Sequence, residues 1–338
     1  MATTTPPFAV IGAAQIAPWL EANPQAVVAA VKQAYLQHAQ GQTISPDSYF
    51  LRFPHHPRQR IIALPASIES DNPVTGIKWI ASFPDNIEQG LDRASAVLII
   101  NDRQTGYPVA CLEGSLISAA RTAASAVLGA EYLHPTPKKI RQLGVVGCGP
   151  IAHRSLGLLA KMGWEIDALC VCDLDESRSQ LFRDKAEGWV KSHHTASLEA
   201  TVRGSDMLLI ATSATQPYIL SPDWFSHAPT VLHMSLRDLS PEVILAAQNV
   251  ADDVSHCLKA QTSPHLASEL VGHHDFMIGG IADVIAGRVI AKADRTRIYS
   301  PFGMGILDLA VAQQLLATLD EAEKVCILDF FPDAYSGS

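Results

Sequence analysis

Two rhythms of apolar residues run along the chain, one after the other. Between Pro18 and Gln40 the apolar positions Leu20, Val27, Val28, Val31, Ala34 and Tyr35 recur at helical spacing, with His38 on the same pattern. Asn23 and Pro24 supply a cap and a first turn, so the segment predicts an amphipathic helix. The runs "SYFLRFP", "RIIALPAS" and "GIKWIASFP" are short, apolar and broken by Pro, Gly and Asp, which predicts strands. "SAVLIIND", "TG" and "YPVACLEG" read as a hairpin, making the region an antiparallel or mixed sheet. The Ala- and Ser-rich "SLISAARTAASAVLGAEYL" suits a helix lying close to other backbone, and "HPTPKK" ends it.

Beyond that break the rhythm alternates: "QLGVVG", "PIAHRSLGLLAKMG", "EIDALCVCD", "ESRSQLFRDKAEGWVKS", "DMLLIATSA", "PTVLHMSL", "PEVILAAQ" and "NVADDV". Strand and helix in turn predict a parallel sheet covered by helices. "GILDLAVAQQLLATLDEAEKVCILDFF" reads as one long helix that returns to the first region. No internal repeat stands out. The fold class is therefore α/β: a Rossmann domain of residues 135–306, inserted in a discontinuous α+β domain of residues 1–134 and 307–338.

Composition narrows the function classes. The chain has 338 residues, 48% of them hydrophobic, and a formal charge of −9, which disfavours a nucleic-acid partner and requires any anion site to be local. Its six cysteines, Cys111, Cys148, Cys170, Cys172, Cys257 and Cys326, form no CxxC pair, so neither a zinc ribbon nor a disulfide framework is expected. The N-terminus lacks a signal pattern, and no apolar stretch is long enough to cross a bilayer. A cytoplasmic protein without a membrane partner is the expectation. The pairs His55/His56, His193/His194 and His273/His274 diverge from one backbone and predict no metal site.

"GVVGCGPIA" carries the chemistry of the second domain. Gly147, Gly149 and Ala152 form G-x-G-x-x-A between a strand-like run and a helix opened by Pro150 and Ile151. Gly147 permits the tight turn, Gly149 lets backbone approach a pyrophosphate, and Ala152 lets helix and strand pack. Asp173 ends the next apolar run, roughly 20 residues on, where a carboxylate meets the adenosine ribose hydroxyls and repels a 2′-phosphate. NAD is the cofactor this predicts. Arg178 is the nearby cation that would instead serve NADP. Thr212 and Ser213 follow one later strand, and Ser235, Arg237 and Asp238 follow the next, at the strand ends where open α/β sheets bind ligands. Asp238 is either a reacting acid/base, or a helix N-cap or solvated loop acid, since "DLSPEV" could equally start a helix at Ser240 with Pro241 in its first turn.

In the first domain four cations, Arg52, Lys78, Arg93 and Arg121, lie in or beside apolar segments. A buried cation without an anion costs several kcal/mol, so Lys78 and Arg121 need partners, and a carboxylate-bearing substrate would provide them.

"GIKWIASFPDN", "TGYPVACLEGSLISAARTAASA", "GVVGCGPIA" and "YSPFGMGILDLAVAQQL" resemble the ornithine cyclodeaminase and mu-crystallin family from about residue 45 onward. The resemblance implies a homodimer, an NAD-binding Rossmann domain, and a substrate domain that also builds the dimer interface. It implies roles residue by residue. Lys78 matches a substrate-binding and catalytic lysine. Arg121 matches the arginine facing cofactor and substrate, and Asp173 the ribose-binding acid. Thr212, Ser235 and Ser300 match cofactor contacts, Pro301 a substrate contact, Asp238 the catalytic aspartate, and Arg52 an early carboxylate-binding arginine.

Two departures separate this chain from the cyclodeaminases of that family. "DLSPE" replaces D-C-P-G-K, putting Glu242 where a cofactor-contacting lysine would stand, and Arg93 replaces a threonine. "SYFLRFP", "RIIALPAS", "GLDRASAVLI" and "ACLEGSLISAARTAASA" are most similar to a branch of dehydrogenases acting on N-(2-amino-2-carboxyethyl)-L-glutamate, which supply L-2,3-diaminopropionate for siderophores. Rival readings on the same scaffold are a cyclodeaminase, an imino or amino acid dehydrogenase, and a non-enzymatic NAD-binding protein of the mu-crystallin type.

Overall fold

A computed structural model describes residues 6–320, 324–328, 330 and 331, and divides the chain into two compact units. The first comprises residues 1–121 and 304–338, the second residues 122–303. The first unit opens with strand β1 (Phe8–Ile11) and helices α1 (Ala13–Ala22) and α2 (Pro24–Ala39). The cap and first turn expected at Asn23 and Pro24 are where α2 begins, while Leu20, on the same apolar pattern, belongs to the separate α1 before them. Strands β2 (Thr43–Ile44), β3 (Tyr49–Arg52), β4 (Arg60–Ile68), β5 (Val74–Ser82), β6 (Ala94–Asn101) and β7 (Pro108–Glu113) follow. They form an antiparallel ladder, with β6 and β7 as the expected hairpin, to which β1 adds parallel to β7.

Helix α3 (Gly114–Leu133) leads out of this sheet, and the two units divide within it, after Arg121, rather than at the Pro-rich break that follows. Its second half is small-residue helix for a packing reason. A Cβ built at Gly129 would lie 2.5 Å from the Tyr299 ring, while Ser125 shares a 2.8 Å hydrogen bond with the Tyr299 hydroxyl.

The second unit holds β8 (Lys139–Val146), α4 (Pro150–Lys161), β9 (Glu165–Cys172), α5 (Glu176–Lys185), β10 (His193–Thr195), α6 (Leu198–Gly204) and β11 (Met207–Ile210). It continues through β12 (Thr230–His233), α7 (Pro241–Leu245), β13 (Gln248–Ala251), α8 (Val254–Cys257), α9 (Ser263–Val271), β14 (Met277–Gly280), α10 (Ile281–Ile285) and β15 (Arg297–Tyr299). The sheet order is β10-β9-β8-β11-β12-β15-β13-β14, and every pairing is parallel. The order reverses direction between β8 and β11, which is the topological switch point of a doubly wound sheet.

The chain then returns to the first unit as α11 (Gly305–Thr318). The long terminal helix expected from the sequence stops there. Residues 325–327 instead form β16, paired antiparallel with β1, because "KVCI" follows a break at Leu319 that leaves helical geometry.

Candidate active site

In the second unit, the residues singled out from sequence gather beyond the carboxyl ends of the parallel strands. After β8, Gly147 takes φ +89°, and a Cβ there would lie 2.6 Å from the Ala211 carbonyl oxygen, so no side chain fits this turn. Gly149 caps α4, with Pro150 in its first turn and Ile151 next, while Ala152 is fully buried. The Asp173 carboxylate, just beyond β9, accepts hydrogen bonds from the Cys148 amide at 2.7 Å and the Asp175 amide at 3.0 Å. Those bonds fasten the glycine turn to the neighbouring strand and leave each oxygen a lone pair for a ribose hydroxyl. Arg178 lies on α5 and pairs with Asp175 at 3.7 Å. The cradle without Cβ atoms, the helix N-terminus and the half-buried acid together fit NAD.

Next to this turn stands Asp238, fully buried. It is not the start of a helix. Ser240 caps α7, its hydroxyl accepting from the Val243 amide, with Glu242 exposed in the first turn. Asp238 Oδ1 accepts from the Thr212 and Tyr218 hydroxyls, the latter at 3.0 Å. Oδ2 lies 3.1 Å from His233 Nε2 and accepts from the Ser235 hydroxyl at 2.5 Å. Burial alone would raise its pKa, but the hydrogen bonds it accepts from His233, Ser235 and Thr212 outweigh that and hold the carboxyl below the ordinary carboxylate range. Four donors fill the four acceptor positions of the carboxylate. The structure thus places Asp238, the acid/base expected from its sequence position, at the centre of a hydrogen-bonded cluster of Thr212, Tyr218, His233 and Ser235.

His233, the last residue of β12, was not singled out by sequence, because a histidine closing a buried strand reads as core. Its ring is buried, with Nδ1 3.0 Å from Ser300 Oγ. Ser300 and Pro301 follow β15 and line a shallow surface depression together with Ser235, Cys257, Thr262 and Phe302. Asp252, another acid unmarked by sequence, holds this loop in place by accepting from the amides of Phe302 and Gly303 at 2.9 and 2.6 Å.

In the first unit, Lys78 of β5 is buried, its Nζ 2.7 Å from Asp308 Oδ2 and 3.1 Å from Ser118 Oγ. Arg121 Nε approaches the other Asp308 oxygen at 3.4 Å. The anion that Lys78 and Arg121 require is thus Asp308, a residue of α11, rather than substrate alone. Burial pushes the Lys78 ammonium down to about 8, Asp308 opposing that shift and Arg121 adding to it. Two cations sharing one carboxylate leave one net positive charge.

The strand register adds a second group of cations. Arg52 pairs directly with Arg60 across β3 and β4, and Arg60 with Ser82 across β4 and β5. Directly opposed residues share a sheet face, and Ser82 is four residues from Lys78, so Arg52, Arg60, Ser82 and Lys78 all lie on one face. Ser82 accepts from Arg93 Nε at 3.4 Å. Burial lowers the Arg93 pKa, and the charge of Arg58 lowers it further. Arg60 is a site residue missed by the sequence reading, since only the register reveals its company.

The family model described as the ornithine cyclodeaminase/mu-crystallin family matches residues 19–323. The chain belongs to that family. It is 30% identical to an N-((2S)-2-amino-2-carboxyethyl)-L-glutamate dehydrogenase of Staphylococcus aureus over 302 residues, covering 85% of this chain and 88% of that protein. An archaeal alanine dehydrogenase, solved as a dimer with bound NAD, superposes with a TM-score of 0.84 at 23% identity, covering 96% of this chain and all of that one. The iminosuccinate reductase of Paracoccus denitrificans, solved with NAD+, gives a TM-score of 0.84 at 19% identity, covering 95% and 99%. The last two likenesses concern the fold.

Proposed function

We propose that this family member catalyses the NAD-dependent oxidative cleavage of N-(2-amino-2-carboxyethyl)-L-glutamate. With water, the products are 2-oxoglutarate, L-2,3-diaminopropionate, NADH and a proton. The enzyme class is that of an NAD-dependent oxidoreductase acting on a CH–NH bond, which the family's dehydrogenases and reductases share. The observation that carries the substrate assignment is the cationic face of the first unit, where Arg52, Arg60 and Lys78 lie on one side of the sheet and Arg93 reaches Ser82. A substrate with three carboxylates uses several cations, whereas ornithine offers one carboxylate and a competing ammonium. The similarity to the staphylococcal enzyme supports the same choice.

In this reading Arg52, Arg60, Arg93 and the net charge left by Lys78 and Arg121 orient the carboxylates, and Pro301 bounds the substrate. Gly147, Gly149, Pro150, Ile151, Ala152, Asp173, Thr212, Ser235 and Ser300 hold the cofactor, with Arg121 contributing its remaining donors. Bound NAD supplies the acceptor for the hydride of the glutamate α-carbon. The Asp238 network manages the proton that the secondary ammonium must first lose, and later the proton of the water that adds to the carbon–nitrogen double bond. Asp173 favours NAD over NADP. Six unpaired cysteines suit a reducing, cytoplasmic setting, and the product suits supply of L-2,3-diaminopropionate for siderophore assembly. Tyr49, Leu51, Trp79 and Val97 lie exposed on the opposite sheet face, and a second copy of the chain is the partner that covers them.

One assay tests the reaction. Purified protein with NAD and the tricarboxylate is expected to accumulate NADH with 2-oxoglutarate and L-2,3-diaminopropionate in equal amounts. Each lost charge-assisted bond is worth roughly 1.5–3 kcal/mol, so Arg93→Ala or Arg60→Ala should raise KM about 10- to 100-fold with NAD affinity unchanged. Conversion of ornithine to proline and ammonia without net NADH would replace this reading with a cyclodeaminase.

A further inference from the structure

The buried carboxylate of Asp238 has no exposed surface and no acceptor position left, yet the unit around it must exchange protons with a bound molecule. The hydrogen-bond pattern shows a route. Asp238 is held ionised and can only accept, so the histidine nitrogen facing it at 3.1 Å, His233 Nε2, carries the proton. A neutral imidazole has one protonated nitrogen, which leaves Nδ1 as an acceptor. The atom 3.0 Å from Nδ1 is Ser300 Oγ, so the serine hydroxyl donates to the ring. Ser300 Oγ keeps its own lone pairs, and Ser300 lines the depression beside Pro301.

We propose that Ser300, His233 and Asp238 form a proton relay, in which Ser300 is the contact with the bound amine and His233 is where the proton rests. The exchange is balanced. An N–H proton of the bound ammonium passes to Ser300 Oγ while the serine proton passes to His233 Nδ1, giving a neutral amine and an imidazolium. The imidazolium keeps its Nε2 proton on Asp238, whose negative charge compensates the new positive one. Asp238 is then a positioning residue: it fixes the tautomer and stabilises the charged ring, and it need not be protonated itself. The ring can take up and return a proton at Nδ1 without giving up its Nε2 hydrogen bond to Asp238.

The other ionisable groups around this pair do not compete. Tyr218, bonded to the far oxygen of Asp238, is raised by burial and then by the charge of that carboxylate. Cys257, whose thiol donates to the Ser300 carbonyl at 3.3 Å, is raised by burial and then by Asp252. Both stay protonated at neutral pH. Asp252 is engaged with the amides of Phe302 and Gly303. Thr212 and Ser235 hold Asp238 but touch neither ring nitrogen of His233.

The proposal rests on the oxidoreductase reading, not on the identity of the amine, and its first test needs no turnover. Nitrogen NMR of histidine-labelled protein without NAD should show His233 protonated at Nε2 and bare at Nδ1 near neutral pH. The opposite tautomer would overturn the relay even if the enzyme proved active. The second test uses His233→Gln, which keeps an N–H towards Asp238 but cannot take up a proton. It is expected to retain NAD affinity, to lose about 100-fold or more in kcat, and to lose the acidic inflection in the pH profile of NADH formation. A glutamine variant with wild-type turnover and profile would reduce His233 to a structural part and sink the proposal. Should that variant fail to fold, Ser300→Ala decides: a fall in kcat of at least about tenfold with the His233 tautomer unchanged is expected, and unchanged kcat refutes the relay. A wild-type protein that turns over no amine would count against the oxidoreductase reading, while the tautomer would still decide the hydrogen-bond chain.

Discussion

Asp308 does for the first unit what no surface charge could do, because Lys78 and Arg121 both depend on its carboxylate. Lys78 and Asp308 are almost wholly shielded from water, so each would carry a large desolvation cost without the other. Asp308→Asn keeps the shape and removes the charge, leaving two cations side by side. The variant is expected to lose about 3–5 kcal/mol of stability, measured by denaturant unfolding. A loss below about 1 kcal/mol would mean that the pair is already solvated in the native state. The sign of the pH dependence follows from Lys78 itself. Its folded pKa of about 8 lies below the ordinary 10.5, so the unfolded chain binds the extra proton between those values and this residue's penalty fades as pH rises through them. The need for an anion was legible in the sequence, since a lysine between Ile77 and Trp79 cannot go unpaired. Which anion was not, because Asp308 stands 230 positions away and only the return of α11 brings it to β5. His233, Asp252 and Arg60 were hidden for related reasons. The first closes a buried strand, as a core residue would, the second follows one directly, and the third acquires its meaning from the residue across the ladder.

At the scale of elements, the turn between β8 and α4 was the most legible part, because its requirements are local. Gly147 must take a positive φ and must come within contact of the Ala211 backbone, conditions that glycine alone satisfies. Gly147→Ala therefore meets both a conformational cost and a clash. Its expected outcome is a loss of NAD affinity of at least about tenfold, read by calorimetric titration, with a lower melting temperature than wild type. Wild-type affinity in the alanine variant would show that the turn can open without consequence for the cofactor. The alternation that predicted the parallel sheet was equally clear, since strands buried on both faces and amphipathic helices differ in period. The chain end was not. A strand as short as β16 has too few positions to show alternation, and its identity comes from pairing with β1, hundreds of residues earlier in the sequence. The break between α1 and α2 was visible as Asn23-Pro24, but the amphipathic pattern continues across it, so periodicity alone merged the two helices.

For the whole molecule, the question is what covers the outer face of the first sheet. Tyr49, Ala63, Trp79 and Val97 are opposed in sequence across β3, β4, β5 and β6, forming one row, and Leu51, Ile61 and Ala81 form the next. Tyr49 is 73% exposed and Trp79 41%, whereas the other face of the same strands carries the buried Lys78, Leu98 and Ser82. Two adjacent apolar rows on a sheet are costly to leave in water, at about 25 cal/mol for each Å² of apolar surface, and a second copy presenting the same rows would cover them symmetrically. The dimer proposal rests on this face. Trp79→Glu places a charge in the middle of the row, with its side chain in solvent if the protein is a monomer and desolvated if it is a dimer. Sedimentation should show a wild-type dimer and a Trp79→Glu monomer that still binds NAD, because the glycine turn and Asp173 belong to the second unit. A variant that remains dimeric would move the interface elsewhere, and a wild-type protein that sediments as a monomer at micromolar concentration would leave the exposed rows without the partner assigned to them.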